Sequence, residues 1–323
     1  MDKSTNFIGI DISKDTFGVW IPAKGHFSIP NSKKGFKEFL NLIELKDWCV
    51  MEATGSYYQQ LASFLYNKDV KVSVANPLVV KRFIQMKLQR NKTDKSDAKM
   101  IALYASEQPL KLWKPEPEYI EQCKVLNTTV EIYHKQSTAL KNKLHSVQSA
   151  GIKTGLIIQS LKRQIKYLRK EILAIELCVE DLIKQNEAQM LTNIASIVGI
   201  GKKTAMLLIS NTNAFSEFEN HKQVSAYFGI APTERSSGTS IRGRARISKK
   251  GNPAVRVNLF LCSFTASKSN KQCNALYKRL VDKGKSKKLA LVAVSNKLLK
   301  QAFAVAKSGI PYDPEYKSCF VNQ

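Results

Sequence analysis

The sequence predicts a mixed α/β domain, then a long helical hairpin, then a mainly helical domain. Over the first hundred residues, short β-rich runs alternate with amphipathic helical stretches. Two long segments without proline then repeat apolar residues at helical spacing, and from Leu191 onward helical patterns dominate. The predicted boundaries are 1–112 for the α/β domain, 113–190 for the hairpin region, 191–308 for the C-terminal domain and 309–323 for a weakly ordered tail.

The order of elements in the first domain is that of an RNase H-like fold. Three consecutive strands joined by short turns should pair antiparallel, and helix, strand, helix, strand and helix follow. The last of these strands is stopped by Asn76-Pro77. The predicted strands are 7–13, 16–21, 26–29, 48–53 and 70–75, and the predicted helices between them are 35–45 and 57–67.

The two proline-free segments, 119–149 and 156–189, are separated by Ser149-Ala150-Gly151. Their apolar spacing predicts a helical hairpin of the coiled-coil type. We interpret it as a spacer or dimerisation arm rather than as a carrier of chemistry.

The charge of the chain indicates a polyanionic partner. It has 51 Lys and Arg against 26 Asp and Glu, a formal charge of +25 and a pI near 9.8. The excess is concentrated, since no Asp or Glu occurs between Arg235 and Val281. Phosphate backbones are the natural ligands of such a surface, so we expect the chain to bind DNA or RNA.

Several classes of protein are excluded by the remaining composition. The six cysteines are scattered, with no CxxC pair and no histidine at zinc-ligand spacing. No window reaches the ~18 uninterrupted apolar residues of a membrane span, and the N-terminus has no cleavage-site pattern. We therefore expect a cytoplasmic protein with reduced thiols and no membrane partner.

Four carboxylates are candidates for a metal site. Asp11 lies inside an apolar strand and Glu52 at the end of another, and the predicted order of strands makes these two neighbours. Asp94 and Asp97 share a face at the start of a helix, where helix capping and the macrodipole also favour acids. Four hard oxygen donors suit Mg²⁺ or Mn²⁺, the ions that phosphoryl transfer uses.

Two basic segments of the C-terminal domain are candidates for phosphate binding. Gly199-Ile200-Gly201 between short apolar helices is typical of a helix-hairpin-helix, although an ordinary helix turn remains possible. A Gly- and Ser-rich loop follows, and on pattern alone its Ser236-Ser237-Gly238 is a flexible turn. The expected nucleic-acid ligands are Lys202, Lys203, Arg235, Arg242, Arg244, Arg246, Lys249, Lys250 and Arg256.

The motifs around these residues resemble those of the DEDD transposases of the insertion sequence 110 family, which also includes the Piv-type DNA invertases. They are Gly9-Ile-Asp11-Ile-Ser, Glu52-Ala-Thr-Gly55-Ser-Tyr57, Thr93-Asp94-Lys-Ser-Asp97-Ala, and Ile247-Ser-Lys249-Lys-Gly251-Asn252 after a Ser-Gly step. The resemblance implies a RuvC-like first domain whose metal-binding set is Asp11, Glu52, Asp94 and Asp97. It also implies that Ser237, directly before Gly238, is the nucleophile.

The same resemblance implies recombination guided by a structured non-coding RNA, and dimers that pair into a tetramer through the helical hairpin. Two alternatives stay open. In a metal-only RuvC-like nuclease or Holliday-junction resolvase, water attacks and Ser237 is structural. Tyr57 and Tyr58 are alternative nucleophiles, although aromatic packing explains them as well. A purely architectural nucleic-acid-binding protein is disfavoured because all four carboxylates are present.

Overall fold

The computed structural model describes residues 6–88, 93–151, 154–233, 236–237, 241–242 and 246–316. By packing, the chain divides into two compact units, residues 1–115 and 116–323. The four-part division expected from the sequence stays a prediction.

The first unit is built on a five-stranded mixed sheet. Its order is β3-β2-β1-β4-β5, with β1, β2 and β3 antiparallel and β4 and β5 parallel to β1. This topology confirms the predicted RNase H-like fold. The strands are β1 Phe7–Ile12, β2 Thr16–Ile21, β3 Gly25–Pro30, β4 Trp48–Glu52 and β5 Lys71–Ala75.

Helices cover both faces of this sheet. One face packs with α1 and α2 in a cluster that includes Phe17, Phe36 and Leu61, all fully buried. The other packs with α3 and α4 around Val50 and Ile101. The helices are α1 Lys33–Leu40, α2 Tyr58–Tyr66, α3 Pro77–Met86 and α4 Asp94–Glu107.

The second unit is helical apart from short strand pairs in one loop. Its helices are α5 Glu118–Ser149, α6 Gly155–Ala195, α7 Lys202–Asn211, α8 His221–Tyr227, α9 Pro253–Ser269, α10 Lys271–Asp282 and α11 Lys287–Ser308. Its strands are β6 Pro232–Thr233, β7 Ser236–Ser237, β8 Ile241–Arg242 and β9 Arg246–Ile247.

The long pair α5 and α6 confirms the predicted hairpin. On α6 the buried residues Leu168, Ile172, Val179 and Ile183 follow one another at steps of four or seven, so they lie along one face of the helix, as in a coiled-coil seam. Cys123, near the start of α5, and Val179, in the second half of α6, belong to the same hydrophobic core as α7 to α11. The hairpin is therefore continuous with the C-terminal helices in one unit.

Within the predicted tail, 309–323, residues 309–316 are hydrogen-bonded to the helical unit, and residues 317–323 lie outside the described residues, so the weak order expected of the tail stays a prediction. The Asn193 side chain donates to the Gly309 carbonyl at 2.7 Å, and the backbone N–H of Tyr312 donates to Ser196 Oγ at 2.9 Å. The Tyr312 hydroxyl also contacts the buried Asn270. Side-chain hydrogen bonds from distant elements thus order a segment that has no helical or strand pattern of its own.

Among the described helices, α11 alone is long and apolar enough to cross a membrane. Half of that stretch is buried inside the protein. Val294, Leu298 and Ala302 are fully enclosed by neighbouring helices, so α11 is a core helix of the second unit.

Candidate active site

Asp11 and Glu52 lie side by side at one edge of the sheet. Strands β1 and β4 are parallel neighbours, with Ile10 opposite Met51. The next position on each strand is the acid, so the two carboxylates follow the same register step. Both residues are half-buried. The carboxyl ends of parallel strands share one edge of a sheet, and ligands commonly bind there in α/β folds.

Gly9 and α4 determine what covers this edge. Because side chains alternate along a strand, Gly9 and Asp11 point to the same face of the sheet. A Cβ at Gly9 would lie 2.1 Å from the Ala98 carbonyl oxygen and 2.4 Å from the Ala102 amide nitrogen. The backbone of α4 therefore rests directly on β1, which only glycine at position 9 permits.

The direction of α4 brings its acidic first turn to the same edge. Phe7, the first residue of β1, lines a cleft with Leu103 and Ser106 from the second half of α4. The first half of α4 consequently lies toward the other end of β1, where Asp11 is. Asp94 and Asp97 belong to that first half, and Asp97 directly precedes Ala98.

The start of α4 is capped by residues other than the acids. Thr93 Oγ1 accepts from the Ser96 N–H at 3.2 Å, and Ser96 Oγ accepts from the Thr93 N–H at 2.8 Å. This reciprocal capping box satisfies the backbone groups that an acid could otherwise have satisfied. Capping therefore does not account for Asp94 or Asp97, although the helix dipole still favours both.

The donor set fits a hard divalent cation by its chemistry. Asp11, Glu52 and Asp97 are carboxylates on three different elements, and the side chain of Asp94 lies outside the described part. No three of the described His, Cys, Asp and Glu side chains stand close enough together to hold a metal ion. Carboxylate oxygens are the ligands that Mg²⁺ and Mn²⁺ prefer, and no cysteine or histidine competes at this edge of the described sheet.

The loop between α8 and α9 that carries Ser237, here called the serine loop, contains two short antiparallel pairs. Strand β6 pairs with β9, and β7 pairs with β8, with Ser237 opposite Ile241 and Ser236 opposite Arg242. For Ser236, Ser237 and Arg242 the structure describes the backbone only. The predicted ligands Arg235 and Arg244 lie outside the described residues, whereas Arg246, Lys249 and Lys250 are exposed.

The two ends of this loop are locked together at their base. A Cβ at Gly229 would lie 2.0 Å from the Lys250 carbonyl oxygen, and one at Gly251 would lie 2.0 Å from the Tyr227 carbonyl oxygen. Both glycines have positive φ. Arg256 Nη1 then donates to the carbonyls of Phe228 and Gly251, each at 3.0 Å. Arg256, expected to contact nucleic acid, thus braces the loop in this structure.

Lys202 and Lys203, at the start of α7, are both ion-paired to α6. Lys202 Nζ is 2.5 Å from Glu180 Oε1, and Lys203 Nζ is 2.6 Å from Glu176 Oε2. Hydrogen bonds from Lys184 and then Lys202 lower the pKa of Glu180. The lysine ends of these pairs are exposed and the carboxylates are half-buried, so solvent partly screens both pairs.

Comparison with known proteins assigns the chain to a family. Residues 8–149 match the family model of the IS110 DEDD domain, described as a transposase, and residues 191–278 match one described as the IS116/IS110/IS902 transposase family. A pilin gene-inverting protein of Moraxella bovis is 30% identical over 322 residues, which cover 96% of this chain and 98% of the relative. The chain belongs to the insertion sequence 110 family of transposases.

Two further relatives span the family. The pilin gene-inverting protein of Moraxella lacunata is also 30% identical, over 96% of this chain and 98% of its own length. A transposase for insertion sequence element IS1111A, from Coxiella burnetii, is 24% identical over 91% of this chain and 88% of its own length. The chain is therefore a transposase or DNA invertase, a phosphoryl-transfer enzyme whose family implies a DNA substrate and a divalent metal.

Sequence reasoning missed the residues that position the site. Gly9 was noted only as part of a motif, yet it sets the distance between β1 and α4. Its signal in the sequence is a glycine inside a strand, which often marks a close approach of another backbone. The loop-bracing contacts of Arg256 had no such signal, because any Arg in a basic segment resembles a phosphate ligand.

Proposed function

We propose that the chain is the DNA recombinase of an insertion sequence and cuts and rejoins DNA by serine and metal chemistry together. The packing of α4 on β1 at Gly9 carries this proposal. It supports one acidic site, because the ends of β1 and β4 and the first turn of α4 share one face of the sheet. The proposed catalytic residues are Asp11, Glu52, Asp94, Asp97 and Ser237.

The four carboxylates would hold Mg²⁺ or Mn²⁺. When bound, such an ion supplies a Lewis acid that stabilises charge on the scissile phosphate and its neighbouring oxygens. The protein's own contribution is to fix the donors on rigid elements. Asp11 and Glu52 end adjacent strands, and Asp94 and Asp97 follow a capped helix start.

Ser237 would attack the scissile phosphorus through its Oγ. A bond from Oγ to phosphorus forms, the bond from phosphorus to the 3′ oxygen breaks, and the strand is held as a 5′-phosphoserine ester. The serine proton passes to a base, and the departing 3′ oxygen takes up a proton. Exposed cations of the loop, Arg246, Lys249 and Lys250, would offset the extra negative charge of the transition state. Because the ester conserves the energy of the broken bond, the reverse attack rejoins DNA without ATP.

A structured non-coding RNA would choose the DNA sites. The support is the family resemblance, because the formal charge of +25 indicates a polyanionic partner without distinguishing RNA from DNA. We expect the purified chain to carry RNA transcribed from DNA next to its own gene. Ribonuclease treatment before substrate addition should abolish strand exchange, and adding back that transcript should restore it. Full exchange after complete removal of RNA would contradict the guided reaction.

The acidic unit and the serine loop would come from different subunits. The resemblance indicates dimers that pair into a tetramer through the α5/α6 hairpin. This arrangement lets two units that pack separately within one chain act on one phosphate.

Strand exchange in Mg²⁺ tests the acidic site. Asp11→Asn should abolish exchange, because it removes a metal ligand while keeping the size of the side chain. Asp15→Asn is the matched control, since Asp15 is exposed in the turn after β1. Exchange at the normal rate by Asp11→Asn, or equal loss in the Asp15→Asn control, would contradict the assignment.

A further inference from the structure

Helices α10 and α11 enclose a groove that the catalytic proposal does not use. They run antiparallel, since a short turn joins them and Gln301 donates to Gln272 at 3.2 Å near the far end. The groove has a volume of about 520 Å³. Each helix contributes residues at i, i+3, i+4 and i+7: Gln272, Ala275, Leu276 and Arg279 from α10, and Ala293, Asn296, Lys297 and Lys300 from α11.

The groove is cationic and its cations are available. Arg279, Lys297 and Lys300 line it, together with the amides of Gln272 and Asn296 and no carboxylate. None of the three cations forms an ion pair with any described residue. Lys202 and Lys203, in contrast, are neutralised by carboxylates of α6.

The surroundings reinforce the positive potential. Residues 268–308 contain eleven Lys and Arg and one acid, Asp282. Four of these lysines, Lys283, Lys285, Lys287 and Lys288, are exposed around the turn that joins the two helices. Desolvation, followed by the charges of Lys300 and Lys222, also lowers the pKa of the neighbouring His221.

The length of the groove matches an extended polyanion better than a single anion. From Gln272 to Arg279 the α10 face rises about 10 Å, so Arg279 and Lys300 lie toward opposite ends. That length can contact more than one phosphate of a DNA backbone, whereas a single anion would occupy only part of it. Ala275 and Ala293 keep the space between the helices open.

We propose that the α10/α11 groove binds the phosphate backbone of duplex DNA, outside the catalytic residues, through Arg279, Lys297 and Lys300. DNA is chosen because it is the substrate that the family implies. Contacts of this type orient a duplex without reading its sequence. The site therefore anchors DNA that flanks the reacting phosphate, whichever residue is the nucleophile.

Binding of a duplex of about 30 base pairs at several salt concentrations tests the groove. The full-length variant Arg279→Gln/Lys297→Gln/Lys300→Gln should bind about tenfold or more weakly at intermediate salt. Its slope of log affinity against log salt should fall by about two to three units, since each phosphate contact contributes about 0.9. The control Lys135→Gln/Lys141→Gln/Lys143→Gln removes three exposed cations of α5. Its affinity should stay within about twofold of that of the unmodified protein, and its salt slope should be unchanged.

A second measurement does not depend on variants. In the unmodified protein, bound duplex should protect Lys297 and Lys300 from amine acetylation more than it protects Lys141 and Lys143. Unchanged DNA binding by the groove variant, an equal loss in the α5 control, a loss confined to a structured RNA probe, or absence of protection would each overturn the proposal.

Discussion

Gly9 carries no reactive group, yet the proposed acidic site depends on the close approach that it permits. Its hydrogen is the only substituent that fits between β1 and the Ala98 carbonyl. Any larger side chain would clash with backbone atoms, which cannot rotate away as a flexible side chain would. The separation between Asp11 and the first turn of α4 is thus set two residues away from Asp11 itself.

Gly9→Ala should destabilise the first unit and abolish strand exchange. An added methyl group would lie 2.1 Å from Ala98 O, so α4 must move, at a cost of about 1–3 kcal/mol for overpacking. Thermal unfolding and exchange assays measure the two effects. Gly155→Ala is the control, because a Cβ there meets nothing within 4 Å. Normal activity of Gly9→Ala would show that the contact does not position the site.

Arg256 and Arg246 should separate into a structural and a binding role. Arg256→Gln removes two hydrogen bonds to backbone carbonyls and should lower the free energy of unfolding by about 1–3 kcal/mol. Arg246→Gln removes an exposed charge and should leave stability unchanged while weakening DNA binding. Denaturant unfolding and fluorescence anisotropy distinguish the two. Loss of binding without loss of stability in Arg256→Gln would return Arg256 to the set of phosphate ligands.

At the scale of elements, the contact between α6 and α7 limits what the Gly-Ile-Gly turn can bind. If phosphate binds, Lys202 and Lys203 exchange one anionic partner for another, so their net contribution to nucleic-acid affinity is reduced. Lys184 and Lys202 lower the pKa of Glu180. The ionised Glu180 therefore stabilises the fold at pH values above the ordinary carboxyl pKa, and this stabilisation is lost as the pH falls through the lowered pKa. Solvent screening keeps that contribution small.

Glu176→Gln/Glu180→Gln should increase nucleic-acid affinity by releasing both lysines. Lys202→Ala/Lys203→Ala should decrease affinity across all sequences and flatten its salt dependence. Anisotropy titrations at two salt concentrations measure both changes. If neither pair of substitutions alters affinity, residues 199–203 form only a helix turn.

Several apolar side chains of the hairpin are exposed within the described residues, and two of them form a pair on α6. Leu173 and Leu177 are 51% and 60% exposed and lie one turn apart on α6, away from the buried seam at Ile172. If the hairpin joins subunits, Leu173→Gln/Leu177→Gln should lower the mass found by sedimentation while helical content stays constant. Leu45→Gln, at a comparably exposed position in the first unit, should have no effect. An unchanged assembly would place the subunit contact elsewhere.

Periodicity predicted which elements form, and tertiary contacts decided where they end. Helix α1 was expected over 35–45 but ends at Leu40, because residues beyond Asn41 pack Leu42 and Ile43 on the same core from a turn. The neighbouring positions of Asp11 and Glu52 followed from the strand order. The close approach at Gly9 and the two carbonyls held by Arg256 involve residues far apart in sequence, which no local pattern encodes.

For the whole molecule, the central question is whether two separately packed units act on one phosphate. The acidic edge belongs to residues 1–115 and the serine loop to residues 116–323. A metal-only nuclease would need the first unit alone for chemistry and would leave free DNA ends. A serine recombinase needs both units and forms a covalent ester before any strand is rejoined.

The most direct test is to incubate labelled target DNA with the protein and its RNA, denature the mixture, and look for a protein-linked band. The band should form with the unmodified protein and with Ser236→Ala, and it should be absent with both Ser237→Ala and Asp11→Asn, although these still bind DNA. A band that persists in Ser237→Ala would contradict the serine mechanism, and its loss in Tyr57→Phe or Tyr58→Phe would assign the attack to tyrosine. A band of normal intensity in Asp11→Asn would show that the two units do not act together.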